Sequence, residues 1–270
     1  MLRTTGLTKQ FGGLTAVDSV DFELGDELCS LIGPNGAGKT TVFDLLTGVL
    51  EPTQGSIELR TDGEWVDVTD TSPDETATMG LHRSYQITNV FPTLTVLENV
   101  RVAAQAHGDD AATFWRNVGT YDEYVREARG ILERVGLANR ADDLAQNLSH
   151  GASRQLEVAV ALAGHPDVLL LDEPNAGVSS ESVGDIVDLI EDVAEDHAVL
   201  LVEHNMDIVM EVSDRVVVLN QGEIIANDEP SAVRENPVVQ EAYLGGYEPG
   251  DLGDRTDERA DDAPGSGGVA

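Results

Sequence analysis

The sequence predicts an α/β fold built on a mostly parallel sheet, and three observations carry that prediction. A short apolar run, Cys29-Ser30-Leu31-Ile32, enters the octapeptide Gly33-Pro34-Asn35-Gly36-Ala37-Gly38-Lys39-Thr40, after which the pattern turns helical. A second run, Val168 to Leu171, is apolar throughout and reads as a strand covered on both faces. Helix and strand patterns then alternate, with Gln155 to Ala163 and Val183 to Val193 as helices and Ala198 to Val202 as a strand.

Each element follows in order. Val17 to Leu24 reads as a strand, and Thr40-Thr41-Val42-Phe43-Asp44-Leu45-Leu46 reads as a helix ending near Gly48. Gly55 to Leu59 and Trp65 to Val68 flank a Thr61-Asp62-Gly63-Glu64 turn, which predicts antiparallel sheet beside the core. From Thr95 to about Leu137 apolar residues recur at helical spacing, among them Val96, Leu97, Val100, Tyr124, Ala128 and Leu132. These place an inserted α-helical subdomain at about residues 90–160 of a folded unit spanning 1–245. Residues 246–270, rich in Gly, Asp, Ala and Pro, are expected to form a disordered acidic tail.

Composition excludes several classes. The 270 residues are 41% hydrophobic, enough for a sizeable core. No apolar run approaches the ~18 residues of a membrane span, and the N-terminus lacks a signal-peptide core, so a soluble chain is expected. The single cysteine, Cys29, reads as a small buried hydrophobe. Fifty Asp and Glu against 16 Lys and Arg give a net charge of −34, which argues against nucleic acid as a partner. Lys9 and Lys39 are the sole lysines, and this acidic, lysine-poor surface suits a halophilic setting where molar salt screens self-repulsion.

The octapeptide satisfies the G-x-x-x-x-G-K-[ST] phosphate-loop pattern in its required strand, loop, helix context. Its glycines let backbone amides converge on phosphate oxygens, Lys39 reaches the β- and γ-phosphates, and Thr40 can ligate Mg²⁺. Downstream, Asp172 and Glu173 end the buried Val168–Leu171 strand, where a charge needs a partner. Asp172 would hold the metal and Glu173 would polarise the attacking water. Taken alone, the same residues also read as an Asp-Glu-Pro turn.

Three weaker elements lie around these two: Leu148-Ser149-His150-Gly151-Ala152, Glu203-His204, and Gln86 within Arg83-Ser84-Tyr85-Gln86. Singly, Ser149 reads as a helix N-cap, His204 as a strand-end histidine and Gln86 as a surface amide. Together, in this order and spacing, the elements resemble the ATP-binding subunit of an ABC transporter over residues from about Leu2 to Gly245. The resemblance implies a P-loop NTPase core that binds ATP and Mg²⁺ and hydrolyses ATP. Phe11 would stack on adenine, although a core aromatic is its competing reading, and Val17 and Thr41 would join the nucleotide-binding set. Gln86 would touch the metal, Ser149 and Gly151 would face the γ-phosphate held by a partner, and His204 would contact the γ-phosphate.

Finer resemblance comes from Phe11 to Val17, from Gly33 to Phe43, and from Asn236-Pro237-Val238-Val239-Gln240-Glu241-Ala242-Tyr243-Leu244-Gly245. These are similar to the subfamily energising import of branched-chain amino acids, with a urea or short-amide importer, or a non-transport ATPase of the same superfamily, as the alternatives. That membership implies a second ATP-binding subunit in a head-to-tail dimer, two permease subunits, an extracellular substrate-binding protein acting indirectly, and a peripheral place on the cytoplasmic face of the membrane. Two departures from the family pattern stand at the implied dimer interface: Ala152 and Ser153 occupy the places where the signature closes with Gln or has it close by, and Ser179 stands in place of Asp or Asn.

Overall fold

The computed structural model describes residues 1–84, 90–107, 118–179 and 182–244; Gln86 and the acidic tail lie outside the described residues. Strands β1 (Leu2–Phe11), β2 (Leu14–Leu24) and β3 (Leu28–Ile32) lead into helix α1 (Lys39–Leu46). Strands β4 (Gln54–Thr61) and β5 (Glu64–Asp67) precede α2 (Pro73–Thr78) and β6 (Leu81–Ser84). Helices α3 (Val96–His107), α4 (Val118–Arg134) and α5 (His150–Leu162) follow, and then β7 (Val168–Asp172), α6 (Val183–Ala194) and β8 (Ala198–Val202). The chain continues through α7 (Met206–Val212), β9 (Arg215–Asn220), β10 (Glu223–Asp228), α8 (Pro230–Glu235) and α9 (Pro237–Leu244).

These strands form a four-stranded antiparallel sheet ordered β2-β1-β4-β5 and a six-stranded sheet ordered β10-β9-β3-β8-β7-β6. The larger sheet is parallel except where β10 pairs with β9. Its central strands β3, β7 and β8 are buried at every position, which is why they read as predominantly apolar runs without alternation. Successive residues alternate between faces: Leu169, Leu171, Val199 and Leu201 pack toward α3 to α6, whereas Val168, Leu170, Leu200 and Val202 pack toward α1 and the antiparallel sheet. Cys29 joins the second face without solvent exposure, and burial pushes its thiol up to about 12, as befits an inert hydrophobe.

The sequence reading left out β1, β6, β9 and β10 and began β2 too late. β2 starts at Leu14 because Phe11 pairs directly with Leu14 across Gly12, whose φ of +59° closes the hairpin. β1 carried no clear signal because its register shifts between Thr4 and Leu7 and again by Lys9, which breaks the period of two. Helix α3 begins where expected. The Thr95 amide donates to Glu98 Oε2 at 2.9 Å and the Glu98 amide donates to Thr95 Oγ1 at 3.1 Å, a reciprocal cap.

Candidate nucleotide-hydrolysis site

β3 delivers the chain into the glycine-rich loop, and the packing leaves no room for a side chain at its first and last glycines. Gly33 has φ of +154°, and a Cβ at that position would lie 2.0 Å from the Leu219 carbonyl oxygen. At Gly38, φ is +108° and a Cβ would lie 2.5 Å from the Ala16 carbonyl oxygen. Only glycine fits either position. α1 starts immediately after, capped by Gly38 with no side-chain acceptor, so its first-turn amides keep their capacity for an external anion. Asn35, Gly36 and Thr40 are exposed on this loop, Pro34 and Thr41 are half-buried, and Ala37 packs inward.

Lys39 is buried and donates to the carbonyl oxygens of Gly33 at 2.6 Å and Pro34 at 3.2 Å. Burial lowers its pKa, and the charges of Glu173 and Asp172 oppose that shift, which places both carboxylates in the field of the loop lysine. The sequence separates Lys39 from this pair by more than a hundred residues, and the parallel sheet brings them together.

Asp172 ends β7 with its side chain 10% exposed. One oxygen, Oδ2, accepts from Arg83 Nη2 at 2.6 Å, and Arg83 Nη1 donates to Asp44 of α1 at 2.6 Å. Glu173 leaves the strand in the left-handed region, φ +49°, while its amide still donates to the Val202 carbonyl at 2.8 Å. That turn aims its carboxylate at His204, whose Nε2 lies 2.5 Å from Glu173 Oε1. His204 is in turn held through its backbone. The buried Glu203 accepts from the His204 amide at 3.1 Å through Oε2 and from the Asn175 amide and Nδ2 at 2.9 and 3.1 Å through Oε1.

The remaining expected residues divide. Phe11 is 47% exposed at the tip of the first hairpin, with Lys9 Nζ 5.3 Å from its ring centre, so it is no core aromatic. Val17 differs from the expectation of nucleotide contact: its side chain has no accessible surface and packs in the core beneath the loop. Ser149 caps α5, accepting from the Ala152 amide at 3.3 Å, and Gly151 packs against Ser182 and Val178. Among the described residues, no hydrogen bond or ion pair joins Ser149 or Gly151 to the phosphate loop.

Arg83 and Glu203 were missed by sequence reasoning. Glu203 had a signal, since it directly follows the apolar β8, much as Asp172 follows the apolar run Val168–Leu171 of β7. Arg83 stands three residues before Gln86 in a short strand of mixed burial, and its partners come from α1 and β7, so only the fold reveals it.

The donor set bears on a metal. No group of three or more His, Cys, Asp or Glu side chains forms a cage among the described residues. What stands at the site is the exposed Thr40 hydroxyl and the Asp172 carboxylate, hard oxygen donors that fit Mg²⁺ completed by water and nucleotide phosphate. None of the described helices is long and apolar enough to cross a membrane.

Comparison with known proteins agrees with this geometry. Residues 17–176 match the family model described as ABC transporter, and residues 223–249 match the model described as branched-chain amino acid ATP-binding cassette transporter. The chain is 41% identical over 254 residues to the high-affinity branched-chain amino acid transport ATP-binding protein LivG of Salmonella typhimurium, covering 91% of this chain and 98% of that protein. It is 39% identical over 256 residues to the counterpart BraF of Pseudomonas aeruginosa, with coverage of 91% and 98%. Among solved structures, a nucleotide-free ATP-binding cassette from an ABC transporter superposes with a TM-score of 0.76 at 29% identity, covering 91% of this chain and 99% of that one. A phosphate loop facing a strand-end carboxylate pair, held by a chain with these relatives, leads to one conclusion: the protein belongs to the ABC transporter family of ATP-hydrolysing cassettes.

Proposed function

We propose that this chain powers a membrane importer for branched-chain amino acids, hydrolysing MgATP at a site completed by a second cassette. The C-terminal match over residues 223–249 and the identity to LivG and BraF support the substrate class. The cassette would sit on the cytoplasmic face against two permease subunits, with an extracellular binding protein acting through them. Ser149 and Gly151, bonded to nothing on their own phosphate loop, support a head-to-tail pair in which they face the partner's nucleotide.

The loop amides and Lys39 bind and orient the phosphates, and the exposed Phe11 ring offers a face for adenine. Thr40 and Asp172, with Gln86, would hold Mg²⁺, which supplies charge neutralisation on the phosphate oxygens. Glu173 accepts the proton of the attacking water, and the His204 N–H that holds the Glu173 carboxylate would turn to the γ-phosphate when nucleotide binds. The observation that carries the hydrolytic reading is the Glu173–His204 contact of 2.5 Å across the ends of adjacent strands.

The experiment is Glu173→Gln. General-base loss costs about 10²–10⁴ in turnover, or about 2.7–5.4 kcal/mol, while ATP binding persists and a nucleotide-bound dimer accumulates. Because glutamine bears the same left-handed backbone cost, the melting temperature should stay near that of the parent. Turnover within about threefold of the parent would remove Glu173 from this role.

A further inference from the structure

β6 pairs in parallel with β7 so that Arg83 stands beside Leu170, one pleat before Asp172. Leu81 and Leu170 both pack on the α1 face of the sheet, and Arg83 shares their parity. Its guanidinium therefore projects between β7 and α1, 5.3 Å from the Phe43 ring centre and 6% exposed. There it is shared, Nη1 on Asp44 and Nη2 on Asp172, both at 2.6 Å. Burial works against its charge, and hydrogen bonds to Asp44 and Asp172 outweigh that and hold its pKa above the ordinary arginine value.

We propose that Arg83 is a positioning residue for the metal-side carboxylate, clamping Asp172 of β7 to Asp44 of α1. The clamp sets the spacing between the acidic strand end and the helix that carries Lys39 and Thr40. It rests on the reading of Asp172 as a ligand of MgATP. The planar fork matters as well as the charge, because two donors at fixed separation orient two carboxylates at once, which a lysine ammonium on a flexible stem cannot reproduce. Without the fork, Asp44 and Asp172 lose the cation between them, and Asp172 is free to rotate away from the position the clamp gives it.

The test compares ATP affinity of the full chain in EDTA with that in Mg²⁺, by fluorescence titration with a nucleotide analogue, for Arg83→Gln, Arg83→Lys and Asp44→Asn. Misplacing a carboxylate that orients a metal costs about 10–100-fold in metal-dependent affinity. Both Arg83 variants are expected to lose about tenfold or more of the affinity gain that Mg²⁺ confers, with affinity in EDTA unchanged and no rescue by lysine. Asp44→Asn breaks the α1 arm alone and is expected to lose at least about threefold of that gain. An unchanged Mg²⁺ gain, or equal losses in EDTA and Mg²⁺, overturns the inference. Should the Arg83 variants not fold, Asp44→Asn decides by the same criteria. Asp172→Asn separates the two readings: if it keeps the Mg²⁺ gain, the metal role of Asp172 fails, whereas if it loses the gain and Arg83→Gln keeps it, the clamp alone fails.

Discussion

Glu203→Gln exchanges one oxygen for an NH₂ group and isolates what a buried carboxylate does behind His204. In the parent, Oε1 accepts from the Asn175 amide and Nδ2 at 2.9 and 3.1 Å, and Oε2 accepts from the His204 amide at 3.1 Å. A glutamine oxygen can serve the two Asn175 donors, but its NH₂ then faces the His204 N–H, donor against donor. An unpaired buried donor costs about 1–3 kcal/mol, and two bonds that change from charged to neutral acceptor lose about 1 kcal/mol each. Water reaching the half-exposed His204 recovers part of this, leaving about 2–4 kcal/mol. At about 2–4 °C per kcal/mol for a domain of roughly this size, the melting temperature should fall by about 4–16 °C. The displaced His204 backbone loosens the Glu173 contact, so turnover should drop while ATP affinity holds. Calorimetry and a steady-state ATPase assay in molar KCl read both effects. A melting temperature within about 1 °C of the parent, with unchanged turnover, would show that Glu203 is not a support.

Three further outcomes follow from the same structure. With a net charge of −34, raising KCl from about 0.1 to 2 M shortens the Debye length from about 10 Å to below 3 Å and should raise the melting temperature; equal stability in low salt contradicts halophilic adaptation. Phe11→Ala should weaken ATP binding by about 5–150-fold, from the ~1–3 kcal/mol of base stacking, and leave melting unchanged because the ring is 47% exposed; unchanged affinity excludes it from the adenine site. The Arg215 guanidinium, 2.7 Å from Glu27, holds that carboxyl below its ordinary 4.5. Its stabilisation is therefore fully present above that value and lost as pH falls through the depressed one. Glu27→Gln should flatten the acid side of the stability profile below about pH 4.5, and an unaltered acid slope would assign that loss to other carboxylates.

How much was legible depended on whether a residue's reason lay in its neighbours along the chain or across the fold. The phosphate loop was legible to the residue because the constraint is local: strand, tight turn and helix start are contiguous, and the crowding at Gly33 and Gly38 demands glycine. The central strands were legible because burial on two faces removes alternation. The first strand was not, since its bulges spoil the period, and Val17 was misread because motif membership says nothing about which way a side chain points.

Arg83 and Glu203 show where the boundary falls within the site itself. Three parallel strands end side by side, and each ends in chemistry: β3 in the phosphate loop, β7 in Asp172-Glu173, β8 in Glu203-His204. In β7 and β8 alike, the residue that closes the apolar run is a buried carboxylate and the next is a more exposed group that meets the other across the strand ends. Burial of the first residue forces it to find donors within the protein, Arg83 for Asp172 and Asn175 with the His204 amide for Glu203. Those donors orient the strand ends, and the strand ends aim Glu173 and His204 at one another. A carboxylate closing a doubly buried strand thus announces a support as well as a ligand, and its partner is found by asking which neighbouring strand or helix can bring a donor to that depth.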